Sequence, residues 1–340
     1  SIGGEKIEKR TMLKLPPYDQ RGIVEIHDLH HTLRPQRTSR SPSNLEELVA
    51  IDFNGRRGQV VRDIGNEKCL VHTFEEHLVV VPKENLRPWD PESAEDGGFD
   101  TLWPLTPEEF SNFAGTVTSI LADKGWCMVQ MNTSDARRAA VTQQLQTFPK
   151  FTVPPKEFVR DYMGRGGTGK LATLEDMLDE DELPPPLSDC CAQLNDLIVH
   201  LGSMSEDTLG FRCFSRSRHQ AWVPYADDQE EIRMRPKELD FDDVDSGLLE
   251  EHLIFIQRRR LCLMYFVDND ESGEICLYPQ DHFGRQTIKM PVTRGKLLLF
   301  RHDQMSFSVK QRGKSVVLQT WILDGPPDLA YTSVSADYET

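Results

Sequence analysis

Several things this chain lacks narrow its possibilities. None of its 340 residues falls in an apolar run near the ~18–20 that a membrane-spanning helix needs, so no membrane insertion is expected. Its seven cysteines (Cys69, Cys127, Cys190, Cys191, Cys213, Cys262 and Cys276) are odd in number and include no C-x-x-C pair. That argues against a disulfide framework and for a reducing intracellular compartment. Cys127, Cys262 and Cys276 stand inside apolar runs, where a free thiol behaves as a small hydrophobe. Positive charge is scarce: 39 Lys and Arg face 55 Asp and Glu, a net −16. Nucleic acid is therefore not an expected partner, because phosphate neutralisation takes clustered basic residues. There is no G-x-S-x-G, and no cysteine has a convincing histidine partner in the sequence, so a nucleophilic hydrolase is the weaker reading. No histidine is followed two residues later by Asp or Glu.

What is present falls into segments, and the length leaves room for two domains. Residues 1–43 hold Pro16-Pro17, His27, His30, His31 and the stretch TLRPQRTSRSPS, with 8 Lys/Arg against 5 Asp/Glu. They are expected to form a basic, extended arm, and the remainder carries 31 against 50. Residues 44–90 contain five short apolar runs separated by Asn54-Gly55, Gly58 and Gly65-Asn66, which are hairpin and turn signals. Their G-x-x-G-x-V pattern and the later L-x-V-P-x-x-N-L run resemble small SH3-like β-barrels, which implies a unit that packs on a partner or on the next domain. Residues 91–105 are rich in Pro, Gly and acid and read as a linker. Thr106-Pro-Glu-Glu then starts a helix that stops at Gly125, WCMVQM follows as a strand, Ser134 starts a second helix, and a third runs from Ser188 to Gly202. Two acidic inserts, 171–189 and 226–252, are expected as solvated or disordered loops. Residues 329–340 form a tail.

The last third carries the strongest signal. Four strand-like runs, LCLMYFVDND, EICLYPQ, TIKMPVTRGKLLLF and SVVLQTWIL, are joined by turns at Gly273, Gly284, Gly295 and Gly313. Phe266, Ile275, Leu277, Leu297, Leu299, Val317 and Ile322 alternate within them and should be core. The order of these runs, with a P-x-x-G-x-L-x-L-F strand and a strand ending in Trp, resembles the iron(II)/2-oxoglutarate oxygenases of the prolyl-4-hydroxylase type. Over 106–328 the resemblance implies a mainly β, α+β fold. It is an eight-stranded double-stranded β-helix (jelly-roll) backed by helices.

The same resemblance exposes what is missing from the site. The family needs His-x-Asp/Glu and a later His. Tyr225-Ala226-Asp227 stands at the first place, Phe307 at the second, and Ser315 where a basic residue would hold 2-oxoglutarate. The expected protein is thus a non-catalytic binding or scaffold component of a larger assembly, partnered by protein and without a cofactor. The alternative is an active iron(II)/2-oxoglutarate dioxygenase with a rearranged site: His219, Asp227 and His302 on the metal, and Lys314 or Arg312 on the 2-oxoglutarate carboxylate. One further near-motif, GRGGTGK at 164–170, lacks the hydroxyl residue that completes a phosphate loop and follows no buried strand. It is expected to be a glycine loop at the barrel rim.

Overall fold

A computed structural model of the chain describes residues 22–30, 32–33, 51–147, 150–174, 183–269, 273–280, 286–310 and 314–326. Most of the expected arm, the expected tail and Arg312 lie outside the described residues. Among the described residues no helix is long and apolar enough to cross a membrane.

Strand β1 (Ile23–Ile26) falls inside the stretch expected to be an arm, yet it lies between β2 (Arg57–Gly65) and β5 (Leu86–Pro88). With β3 (Lys68–Thr73) and β4 (Leu78–Pro82) these form an antiparallel sheet of order β4-β3-β2-β1-β5. The unit therefore starts at Ile23 and not at residue 44. Val24 and Ile26 have no local partner to reveal them; they are buried with Phe53, Val60, Val71 and Val79 in a core of their own. Among the described residues β4 and β5 do not pair, so the unit is a sheet where a closed barrel was expected. The β2–β3 hairpin turns through Gly65 and Asn66 at φ of 79° and 51°, a region those two residue types tolerate.

The other strands build two sheets. The large one runs β6 (Thr101–Leu102), β7 (Trp126–Gln130), β14 (Lys296–Arg301), β11 (Arg259–Asp268), β16 (Val316–Leu323), β10 (Gln220–Val223), β8 (Lys170–Thr173), with β9 (Ser215–Arg216) also on β16. The small one runs β13 (Ile288–Pro291), β12 (Glu274–Pro279), β15 (Met305–Lys310). From β11 onward the chain passes from the large sheet to the small one (β12, β13), back (β14), across (β15) and back again (β16). That winding is a double-stranded β-helix. Side chains of β11 alternate: Leu261, Leu263, Tyr265 and Val267 face the helices, while Cys262, Met264 and Phe266 face the small sheet. Both faces are buried, and all seven residues expected in the core are fully so.

Helices α1 (Phe110–Lys124), α2 (Asp135–Gln146), α3 (Val159–Met163), α4 (Pro185–Gly202) and α5 (Ser205–Leu209) precede β9. Two of the expected helix ends carry their caps: the Ser134 hydroxyl accepts the Arg137 N–H at 3.2 Å, and Gly125 closes α1 at φ 81°. Thr106 makes no capping hydrogen bond, and a 3-10 turn over Pro107–Glu109 precedes α1. Helix α4 begins at Pro185, three residues before the expected Ser188, because proline suits a first helical turn.

Three departures from expectation matter for the site. The TIKMPVTRGKLLLF run breaks at Gly295 into β13 and β14, which belong to different sheets. The acidic insert at 226–252 is not a loop but carries α6 (Asp228–Arg233), α7 (Phe241–Asp245) and the start of α8 (Leu248–Arg258). Where eight strands were expected, β10 to β16 supply seven among the described residues, and the β10–β11 connection is helical. The edge strand β15 is instead met by Gly164, which bridges Ser308, and by Arg165, whose N–H donates to the Phe307 carbonyl at 2.7 Å. Helix α8 is pinned from beneath: His252 stacks on Phe158 at 3.7 Å and hydrogen-bonds Asp161 at 3.2 Å, and Arg259 pairs with Asp161 at 2.7 Å. Burial works to raise the Asp161 pKa, but the His252 hydrogen bond and the Arg259 charge hold it at about 2.

Candidate functional site

The space between the two sheets is where the resemblance puts an iron centre, and here it is filled. Trp126, Met128, Trp222, Met264, Phe300 and Phe307 pack together there with Trp321, all essentially without solvent exposure. Phe307 is 1% exposed; its ring lies 5.3 Å from that of Phe300 and 5.6 Å from that of His302. The glycine loop at 164–170 seals the end of this interior. A Cβ on Gly164 would stand 2.8 Å from the Phe307 ring, and one on Gly169 2.8 Å from the Trp222 indole nitrogen, which donates to the Thr168 carbonyl at 3.0 Å. Both glycines also hold positive φ, 78° and 124°. The near-motif thus serves close backbone packing.

At the end of β10 the chain opens onto a cleft of about 1200 Å³, lined among others by Phe151, Lys170, Tyr225, Asp227, Lys314 and Ser315. The Asp227 carboxylate accepts the Glu230 N–H at 2.7 Å and caps α6. Glu230 in turn accepts the Ala226 N–H at 2.7 Å and pairs with Lys170 at 2.6 Å, both side chains being largely buried. Burial, and then the charge of Glu231, raise the Tyr225 pKa, so the phenol stays protonated. Ser315 is 2% exposed, and its hydroxyl has no hydrogen-bond partner among the described residues.

The proposed ligand set does not come together. His219 is 1% exposed, and its Nε2 hydrogen-bonds the Asn195 amide oxygen at 3.0 Å, tying β10 to α4. His302 sits in the β14–β15 turn, where its Nδ1 accepts the Trp321 indole N–H at 2.9 Å. That lone pair is committed, and Asp227 is a helix cap at the cleft. Among the described residues no three His, Cys, Asp or Glu side chains gather as a metal-binding cluster. Burial first, with Arg216 for one and Arg259 for the other, lowers the pKa of His219 and of His302 to about 3, so both are neutral. Lys314 does reach the cleft, beside Ser315. These donors do not fit a facial two-histidine, one-carboxylate iron site. The α6 cap has a sequence signal that points away from metal: Asp227 stands three before Glu230, the spacing of an N-cap and its N3 acid. Replacing Asp227 with alanine is accordingly expected to cost about 1 kcal/mol in a urea titration, the usual worth of a cap. An unchanged urea midpoint would contradict the cap.

No protein-family model matches the chain, and no curated protein matches its sequence. Among solved structures it is similar to a prolyl hydroxylase from Trichoplax adhaerens in complex with a peptide fragment of the hypoxia inducible factor oxygen degradation domain. That similarity has 15% identity and a TM-score of 0.43, covering 64% of this chain and 91% of the other. A prolyl-4-hydroxylase from Pseudomonas putida is similar at 14% identity and a TM-score of 0.39, over 62% of this chain and 99% of that one. A 2OG-Fe(II) oxygenase family oxidoreductase from Burkholderia pseudomallei is similar at 11% identity and a TM-score of 0.33, over 66% and 94%.

Proposed function

We propose that this chain is a double-stranded β-helix protein whose interior is a packed core and not a reaction chamber, and that it acts by binding, as a component of a larger assembly. The observation that carries this is Phe307, a buried apolar ring at the position where the resemblance demands a metal-ligating histidine. Tyr225 at the other ligand position, and the engagement of Asp227 as a cap, support it. A contact surface is also at hand. Residues 240–254 carry six Asp and Glu and no Lys or Arg, yet Phe241 is 88% exposed and Val244, Leu253 and Ile254 are exposed beside the acids. Apolar groups left in water on an acidic surface suit a protein partner with basic, apolar chemistry.

The test is anaerobic loading with Fe(II) and 2-oxoglutarate, followed by metal analysis and a succinate assay. No stoichiometric iron and no succinate above the protein-free rate are expected. Iron bound one-to-one, and lost in both His219→Ala and His302→Ala, would establish the dioxygenase instead.

A further inference from the structure

A second cleft, of about 420 Å³, lies at the seam between the five-stranded sheet and the β-helix. The two units meet there through the rings of Phe74, Trp89 and Phe99, 5.9 to 6.4 Å apart. Glu76 adds to the junction by accepting the Ser134 N–H at 3.1 Å and pairing with Arg137 at 3.4 Å. Four arginines line the cleft: Arg56 and Arg57 from the sheet, Arg138 from α2, and Arg294 from the turn between β13 and β14. Among the described residues the only acids lining it are Glu75 and Asp135, so four positive charges face two negative ones in a protein whose net charge is −16.

Those acids are already engaged. Asp135 pairs with the buried Arg138, which also donates to the Thr133 carbonyl, and Glu75 lies 3.8 Å from Arg56. Arg57 stacks over Trp89 at 4.2 Å and reaches Glu25 at 3.4 Å. Arg294 is exposed and makes no hydrogen bond or ion pair with any described residue. The excess charge is felt nearby: buried Lys296 has its pKa pushed down to about 8, by burial first and by the charge of Arg57 second.

We propose that this cleft binds an oxyanion, a phosphate or carboxylate group of a ligand, with Arg294 as the free guanidinium on the β-helix side and Arg56 and Arg57 facing it from the sheet. A guanidinium presents paired donors in a fixed fork that matches either group. A cleft of this size takes a small anion. Because its walls come from both units, the bound anion ties the sheet to the β-helix. The inference is independent of whether iron binds between the two sheets.

The test uses the full chain, with pyrophosphate in one arm and citrate in the other, each against sodium chloride at equal ionic strength. Calorimetric titration gives the affinity and thermal unfolding the stabilisation. At least one anion is expected to bind saturably and to raise Tm beyond the chloride control, and the arm that does so identifies the phosphate or the carboxylate source. Arg294→Ala and Arg56→Ala should each weaken binding about tenfold. Lys310→Ala, an exposed lysine on β15, should not alter it. Stabilisation no greater than that by chloride in both arms would overturn the site. So would unchanged affinity in Arg294→Ala, or a loss confined to that variant with Arg56→Ala binding as the parent does.

Discussion

Truncating Phe307 to alanine is expected to lower the free energy of unfolding by about 3–5 kcal/mol, the usual range for a buried aromatic ring. The magnitude follows from where the ring sits. It is closed in by Phe300, by His302 and by the backbone of Gly164, so little can collapse into the space it would leave. Trp222→Ala should cost as much, with the added loss of its hydrogen bond to the Thr168 carbonyl. Tyr225→Ala, at the half-buried mouth of the cleft, should stay within about 1 kcal/mol. The contrast bears on function, because residues lining a substrate chamber face space, and truncating one of them enlarges a cavity that already exists. Urea titration of the three variants measures it. A cost below about 1 kcal/mol for Phe307→Ala would mean that the interior is open in solution, and the packed-core account would fall with it.

The parts of this fold that were legible in the sequence share one property: their signal is local. The alternating runs of β11, β12 and β16 announce themselves within ten residues, and the helix caps at Ser134 and Gly125 need only their neighbours. Strand β15 is less legible, although Met305, Phe307 and Val309 alternate with Ser306 and Ser308, because it is only six residues long and two of them are serine. Strand β1 was illegible for a different reason. Its four residues gain their meaning from partners far along the chain, Ile23 opposite Gln59 and Ile26 opposite Leu86.

The site divides in the same way. The resemblance named Tyr225, Phe307 and Ser315 as the occupants of the ligand positions, and Tyr225 and Ser315 do line one cleft while Phe307 is buried in the interior. The rearranged set of His219, Asp227 and His302 has suitable residue types near the right place in the sequence, and type alone says nothing of direction. His219 turns to Asn195 and His302 to Trp321. The arginine seam was invisible, since Arg56, Arg57, Arg138 and Arg294 come from three separate stretches of a chain that is acidic on average.

Acid should destabilise this protein before its carboxylates are protonated, and His219 and His302 are the reason. His219 and His302 have folded-state pKa values of about 3, set first by burial and then by Arg216 and Arg259 respectively. In the unfolded chain a histidine titrates near 6.5. Above that pH both states are neutral at these positions and their contribution to stability is fully present. As pH falls below about 6.5 the unfolded chain takes up two protons that the native state refuses until about 3, so stability is lost across that window. Each site contributes a slope of roughly 1.4 kcal/mol per pH unit, and the pair about 2.7. His302 is partly exposed and its share is discounted, which leaves a loss of about 3–5 kcal/mol between pH 6.5 and 4.5. His77, its pKa also lowered by burial, works in the same direction. Asp161, held at about 2, adds its loss only further down, as pH falls through the ordinary carboxylate range. Against a total stability of roughly 5–15 kcal/mol, a loss of this size is a large share of the whole before most carboxylates are protonated. Urea titrations at half-unit intervals from pH 7 to 4.5 give the slope. His219→Gln should remove about half of the pair's contribution, because the amide does not titrate, and the double variant with His302→Gln should leave a much shallower slope, carried by His77. A slope unchanged in the double variant would show that neither imidazole is held neutral by the fold.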